Sequence, residues 1–326
     1  MIKMIKIGVI GAGHMGRNHI RCLSELKNTF ELVGFSDKIE QNIKFIEENY
    51  QIKHFTQIEE LLKNVEAVVV AAPSSLHKEI GMMVAKNKVH ALIEKPIALS
   101  EEDGNLLCQE FKKNNVKLMV GHIERYNPVV TELKKVIQNE EIISIEARRC
   151  SPFDPRISDT NVIYDLMIHD IDIIFNYLNP IEIEEIVSKA VNVMSNNRAD
   201  YVQAIAQHKN GTISSLIASR VTEDKIRTID IHTKKSFIRA DLLNRKLTVS
   251  KKVTFDLNTE KEPAYKQEKV EVKMIIPNIE PLRAEHLEFA RAILENEKPL
   301  TCGEDANKAV SIAEEISNKN FKLLED

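Results

Sequence analysis

The sequence predicts an α/β fold in two parts. An N-terminal doubly wound parallel sheet of the Rossmann type is followed by an α+β domain on a mostly antiparallel open sheet. Three observations carry this. Roughly the first 120 residues alternate short apolar runs with helical stretches. A G-x-G-x-x-G turn, Gly11, Gly13 and Gly16, joins the first such run to the first helix. Later the pattern changes to long β-type stretches, one of them broken by Asn210-Gly211, a strong hairpin signal. The expected division is residues 1–122 and 123–326, with the terminal helices packing back on the first part.

Taken in order, "MIKIGVIG" is a β-rich run and "RNHIRCLSEL" a helical one; "FELVGFSD" and "IEQNIKFIEENY" repeat the pair. "AVVVAAP", "VHALIEKP" and "VKLMVGH" are further strands, separated by helices over 76–87 and 100–114. Nearly unbroken apolar strands imply a parallel sheet covered on both faces. Past "GHIERYNP" a helix is expected over 128–138 and a strand in "EIISIEARRC". "YDLMIHDIDIIF", residues 164–175, reads as a largely apolar helix. Asp165, His169, Asp172 and Asn176 recur in it at spacings of three and four, which line one helical face. Two long β-type segments, "DYVQAIAQHKNGTISSLIASRV" and "KIRTIDIHTKKSFIRADLLNRKLTVSK", precede helices near 281–296 and 303–319.

Composition narrows the function. The 326 residues are 43% hydrophobic and 29% charged, with a formal net charge of −4 and mixed signs along the chain. No nucleic acid or membrane surface is expected as a partner. Cys22, Cys108, Cys150 and Cys302 are scattered, without metal-ligand spacing and too few for a disulfide scaffold, which fits a reducing compartment. The opening "MIKMIKIGVIGAG" runs straight into a strand with no signal-peptide core, and no apolar run approaches the roughly 20 residues of a membrane span. The expected location is cytoplasmic.

The glycine turn points to a dinucleotide. Gly11 permits the tight turn, Gly13 lets backbone approach a pyrophosphate, and Gly16 lets helix and strand pack closely. Ala12, His14 and Met15 complete the expected cradle, with phosphates on the helix N-terminus. Asp37 closes the second strand near the interval of roughly 20 residues expected for a ribose-binding acid, which favours NAD over NADP. Lys38 beside it suits a phosphate, and Asp37 also fits a helix cap. Ala72, Pro73, Ser74 and His77, in "AAPSSLHKE", fit a loop under the nicotinamide ribose; His77 fits equally a first-turn surface histidine. Glu94 and Lys95 end the fifth strand, where ligands are expected, and Pro96 restricts the lysine's backbone.

Together "GAGHMGRNH", "AAPSSLHKE", "EKPIALS" and "YDLMIHDID" resemble the Gfo/Idh/MocA oxidoreductase family over essentially the whole chain. The resemblance implies a Rossmann domain, a C-terminal α/β domain and NAD(P)-dependent chemistry on sugars and cyclitols. It makes Lys95 the E-K-P lysine, and Asp165 and His169 the acid–histidine pair. "VGHIERYNPVV" and "SPFDPRISDTNVIYDLMIHDIDI" resemble the UDP-N-acetylglucosamine 3-dehydrogenase branch. One departure is "DTNVIYD", where many members carry a glycine-rich stretch.

That chemistry needs a base and a donor to the reacting oxygen. His169 is expected to be the base, its reference pKa of about 6.5 suiting proton transfer near neutrality. Asp165 orients it, and Lys95 donates to the oxygen. Whether His169 or Lys95 is the immediate proton acceptor stays open, as does Asp172's place in the network or in the helix. Arg125, Tyr126 and Arg156 are candidate substrate contacts, an arginine suiting a nucleotide-sugar diphosphate. No metal is expected, because no further group completes a ligand set around Asp165 and His169. A free sugar or cyclitol such as inositol is the second substrate class. A non-catalytic NAD-binding regulator has no need of Lys95, Asp165 and His169 together. A homodimer or homotetramer is expected from the open sheet.

Overall fold

The computed structural model describes residues 4–154, 161–194, 198–259, 262–318 and 321–323. The chain forms two compact units, Met1–Tyr126 with Ile279–Glu314, and Asn127–Asn278 with Glu315–Asp326.

The first unit begins with β1 (Ile5–Ile10), α1 (His14–Glu25), β2 (Phe30–Ser36), α2 (Glu40–Tyr50) and β3 (Lys53–His54). α3 (Ile58–Leu62), β4 (Ala67–Val70), α4 (His77–Lys86), β5 (His90–Glu94), α5 (Glu101–Lys113) and β6 (Leu118–Gly121) come next. The six strands are parallel in the order β3-β2-β1-β4-β5-β6. The order reverses between β1 and β4, and in such sheets ligands bind beyond the carboxyl ends at that reversal. β4 and β6 are buried at every position, as helices on both faces require. β3 pairs through two residues only, too short for a periodic signal in the sequence. α5 shows how local chemistry sets a helix: Ser100 caps it by accepting from Asp103 N–H, with acids in its first turn and lysines in its last.

The second unit opens with α6 (Pro128–Ile137), capped by Asn127 and started by proline, then β7 (Ile142–Cys150). A helical run comes after it in three stretches: Ile163–Met167, α7 (Ile168–Asp172) and Ile173–Leu178. The outer two are wound in the wider i→i+5 manner, where the sequence predicts plain α-helix. β8 (Ile183–Asn192), β9 (Tyr201–His208), β10 (Ile213–Ser219), β11 (Ile226–Thr233), β12 (Ser236–Asp241), β13 (Lys246–Thr259) and β14 (Glu262–Lys273) complete most of its sheet. After α8 (Pro281–Leu294) and α9 (Gly303–Asn318), β15 (Phe321–Leu323) joins the edge. The nine-strand order is β14-β13-β12-β11-β7-β10-β9-β8-β15, antiparallel except at β7–β10 and β8–β15. Asn210-Gly211 turns β9 into β10, Gly211 at φ +85° and Asn210 Oδ1 accepting Thr212 N–H at 3.2 Å.

α8 and most of α9 belong to the first unit. Leu282, Phe289 and Ala290 of α8 share one buried cluster with Ile20, Leu23, Phe30 and Tyr126. Val120 N–H donates to Thr301 O at 2.8 Å, and Met119 and Cys302 form an isolated bridge. The far end of the chain thus completes the core around the N-terminal sheet.

Candidate functional site

The glycine turn is built from backbone sterics. Gly11 has φ +90°, and a Cβ there would lie 2.6 Å from Ala71 O. A Cβ on Gly16 would lie 1.9 Å from Gly11 O. Around Gly13 such an atom would meet nothing within 4 Å, so the turn leaves open space in which its backbone can approach a pyrophosphate. α1 starts there with no side-chain cap and no acid in its first turn, leaving its positive end to an anion. Asp37 Oδ2 accepts from Ala12 N–H at 2.6 Å and Asn42 Nδ2 at 3.2 Å, and Oδ1 from Ile39 N–H at 2.7 Å. The carboxylate anchors the glycine turn and the backbone leading into α2, and Oδ1 keeps a lone pair for a ribose hydroxyl. These residues fit a dinucleotide.

At the end of β5, Glu94 is buried and Lys95 half-buried. Gly121, the register partner of Glu94 on β6, makes room: a Cβ there would sit 3.0 Å from the Glu94 carboxyl carbon. Glu94 Oε1 lies 2.8 Å from His19 Nε2, and Oε2 accepts the Lys95 N–H at 3.2 Å. Burial alone raises this carboxyl, but the hydrogen bond from His19 and then Lys95 outweigh it and hold Glu94 below the usual range.

His77 departs from both expectations. It is 1% exposed, with Nδ1 2.7 Å from Pro96 O and Nε2 2.9 Å from Ala72 O. It therefore clamps the loop after β4 to the E-K-P turn, and its ring nitrogens are not turned to solvent or ligand. Burial lowers its pKa while the two carbonyls pull the other way.

In the second unit Asp165, on the first wide-wound stretch, and His169, on α7, are half-buried, whereas Asp170 and Asp172 are buried. Asn161 Oδ1 accepts from Ile163 and Tyr164 N–H at 3.0 and 3.1 Å, so the asparagine of the glycine-poor "DTNVIYD" caps the run. Asp172 Oδ1 accepts from Asn176 Nδ2 at 3.1 Å, a bond inside the helix. Asp170 takes a bidentate pair from Arg149, at 2.8 to 3.1 Å, with both side chains almost fully enclosed.

Arg125 and Tyr126, expected at a substrate surface, are 1% and 7% exposed inside the first unit. Arg125 donates to Leu300 O at 2.7 Å and Asp305 Oδ2 at 3.0 Å, tying down the start of α9. Tyr126 OH lies 3.4 Å from Thr301 Oγ1. These contacts tie both residues to the segment leading into α9. Arg156 lies outside the described residues. Sequence reasoning did not single out His19, Asn161, Arg149 or Asp170. His19, three residues beyond Gly16, carried the one usable signal, a histidine on the first helix of a dinucleotide turn. Among the described residues no His, Cys, Asp and Glu group is arranged to hold a metal ion, and no helix is long and apolar enough to cross a membrane.

Comparison with known proteins agrees with this geometry. Residues 5–122 match the family model described as "Oxidoreductase family, NAD-binding Rossmann fold", GFO_IDH_MocA. A UDP-N-acetylglucosamine 3-dehydrogenase of Acidithiobacillus ferrooxidans is 31% identical over 251 residues, 76% of this chain and 77% of the relative. The solved structure bearing that name superposes with a TM-score of 0.85 at 27% identity, covering 97% of both chains. A glucose-6-phosphate 3-dehydrogenase of Bacillus subtilis is 32% identical over 68% of this chain and 70% of the relative. A myo-inositol 2-dehydrogenase of Thermotoga maritima is 30% identical over 56% of this chain and 57% of the relative. The chain belongs to the Gfo/Idh/MocA family of NAD-binding oxidoreductases.

Proposed function

We propose that this oxidoreductase dehydrogenates a secondary hydroxyl of a sugar, with C3 of a UDP-N-acetylhexosamine as the reacting carbon and NAD as cofactor. The observation that carries this is similarity, over three quarters of both chains, to a relative named for position 3 of UDP-N-acetylglucosamine. The B. subtilis relative is also named for position 3 of a glucose-type sugar. NAD is favoured over NADP because Asp37 repels a 2′-phosphate. Arg17, the nearby cation on α1, is already committed. Its Nε donates to Ala12 O at 3.3 Å, it donates to Asn42 Oδ1 at 2.9 Å, and it stacks 3.9 Å from the Phe45 ring centre.

When bound, NAD supplies the hydride acceptor. The chain supplies the rest. Lys95 donates to the reacting oxygen and favours its alkoxide character, with Glu94 behind it accepting its backbone N–H. His169 takes the hydroxyl proton, and Asp165 one turn earlier orients the imidazole. In reverse, His169 returns the proton and Lys95 polarises the ketone.

The test is reduced-nicotinamide absorbance with NAD or NADP and a panel of UDP-N-acetylglucosamine, its uronic acid, glucose 6-phosphate, free sugars and inositol. Reduction with NAD and the UDP-sugar is expected. Lys95→Ala and His169→Ala should each lose about 100-fold or more in kcat while still binding NAD. Silence with every UDP-sugar sinks the substrate reading. Turnover with inositol alone replaces it by the cyclitol reading, which the T. maritima relative supports.

A further inference from the structure

Four buried titratable side chains converge behind the E-K-P turn of the first unit, and the roles above use only Glu94. Glu94 is 8% exposed; His19, Glu285 and His286 are fully buried. Two of them come from α8, which no motif marks. His19 Nδ1 lies 3.0 Å from His286 Nε2, the rings edge to face with centroids 5.0 Å apart. With the His19–Glu94 contact at 2.8 Å and the Glu94–Lys95 amide bond at 3.2 Å, a continuous hydrogen-bonded chain runs from α8 to the backbone of Lys95.

The donors in this chain have a direction. Ionised Glu94 only accepts, so His19 carries a proton on Nε2. Burial holds His286 well below the usual histidine range, so its ring is neutral. One proton lies between His19 Nδ1 and His286 Nε2. Placed on His286, it leaves both rings neutral, and donation runs from His286 to His19 to Glu94. Placed on His19, it creates a buried cation against the Glu94 carboxylate. It also forces the remaining His286 proton onto Nδ1, a buried atom with no hydrogen-bond partner among the described residues. Only the first arrangement has His286 donating toward Glu94.

Glu285 explains why Glu94 alone carries the negative charge. Both its carboxyl oxygens are buried with no hydrogen-bond partner among the described residues. Burial, and then the charge on Glu94, hold it well above the carboxylate range, so it is protonated. Titratable groups around the chain include Lys95, buried His77, which both Glu94 and Lys95 reach, and Tyr126, whose hydroxyl burial and then Glu285 hold high. Buried His122 comes directly after Gly121, the register partner of Glu94.

We propose that His286 is a positioning residue: through His19 it fixes the orientation and negative charge of Glu94, and so sets the turn and the electrostatic field that present Lys95. This rests on the reading of Lys95 as the donor to the reacting oxygen.

Nitrogen-15 NMR of labelled histidines in the full-length protein reads the tautomers without substrate or cofactor. The expected pattern is Nε2–H on both rings, with signals assigned by their loss in His19→Gln and His286→Leu. A doubly protonated His19 or an Nδ1–H His286 near neutral pH overturns the proposal. Kinetics with UDP-N-acetylglucosamine and NAD give a second arm. His286→Leu should lower kcat by about ten- to a hundredfold through misplacement of the turn. It should leave KM for NAD unchanged and move the pH profile of kcat/KM by about one unit. His286→Gln, whose amide still donates to His19, should stay close to wild type. Equal losses in both variants make His286 a packing residue and overturn the proposal. So does wild-type behaviour of His286→Leu when Lys95→Ala is inactive. Should Lys95→Ala keep its turnover, the Lys95 reading fails instead, and the tautomer pattern decides the chain of donors.

Discussion

Glu285 is a carboxyl that the fold keeps neutral, which makes stability depend on pH with a definite sign. Its folded pKa is raised above the unfolded value of about 4.3. Below that value both states hold the proton and Glu285 carries no penalty. As pH rises, the unfolded state releases its proton first, so stability falls until the folded pKa is reached. A glutamine of similar shape does not titrate. The melting temperature of Glu285→Gln relative to wild type should therefore climb from about pH 4 toward neutrality and beyond. Melting curves across that range check it, and a constant difference between the two proteins contradicts it.

Among the elements, the turn from β1 into α1 separates packing from binding. Gly16→Ala drives a methyl into Gly11 O, a backbone atom that cannot rotate away, and should cost about 1–3 kcal/mol or more in urea unfolding. Gly13→Val enters open space, so stability should change by about 0.5 kcal/mol or less. NAD affinity, measured by fluorescence titration, should fall steeply in the same variant. A stable Gly13→Val that binds NAD as wild type does removes Gly13 from the cofactor cradle. This turn and its strands were legible in the sequence because glycine spacing and apolar runs are local signals. The wide winding on either side of α7 was not, since i→i+5 turns have no residue signature in "YDLMIHDIDIIF". Nor was Asp170 separable from Asp172: which acid meets Arg149 depends on β7 lying beside that run. Arg125 read as a phosphate ligand because its enclosure comes from α9, 180 positions away.

For the whole molecule, the decisive feature is that the first unit is discontinuous in sequence. His19 and His286, 267 positions apart, meet only because α8 returns to the N-terminal sheet. Leu282 and Phe289 each contribute roughly 1.5–3 kcal/mol by burial. Together these are a large share of a net stability of about 5–15 kcal/mol. A chain ending at Asn278 should therefore lose cooperative unfolding of its N-terminal part and most NAD binding. Circular dichroism melts and NAD titration measure both. A truncated protein that melts sharply at the wild-type temperature would show that α8 is dispensable.

Synthesis gives that discontinuity a temporal meaning. A ribosome releases β1 to β6 long before α8 emerges, so His19 and Glu94 first meet water rather than His286. The N-terminal strands and their glycine turn are synthesised early, but the surroundings of Lys95 are finished only when α8 and α9 dock. A nascent or prematurely ended polypeptide thus carries every strand of the N-terminal sheet without the buried Glu285 and His286 behind its lysine.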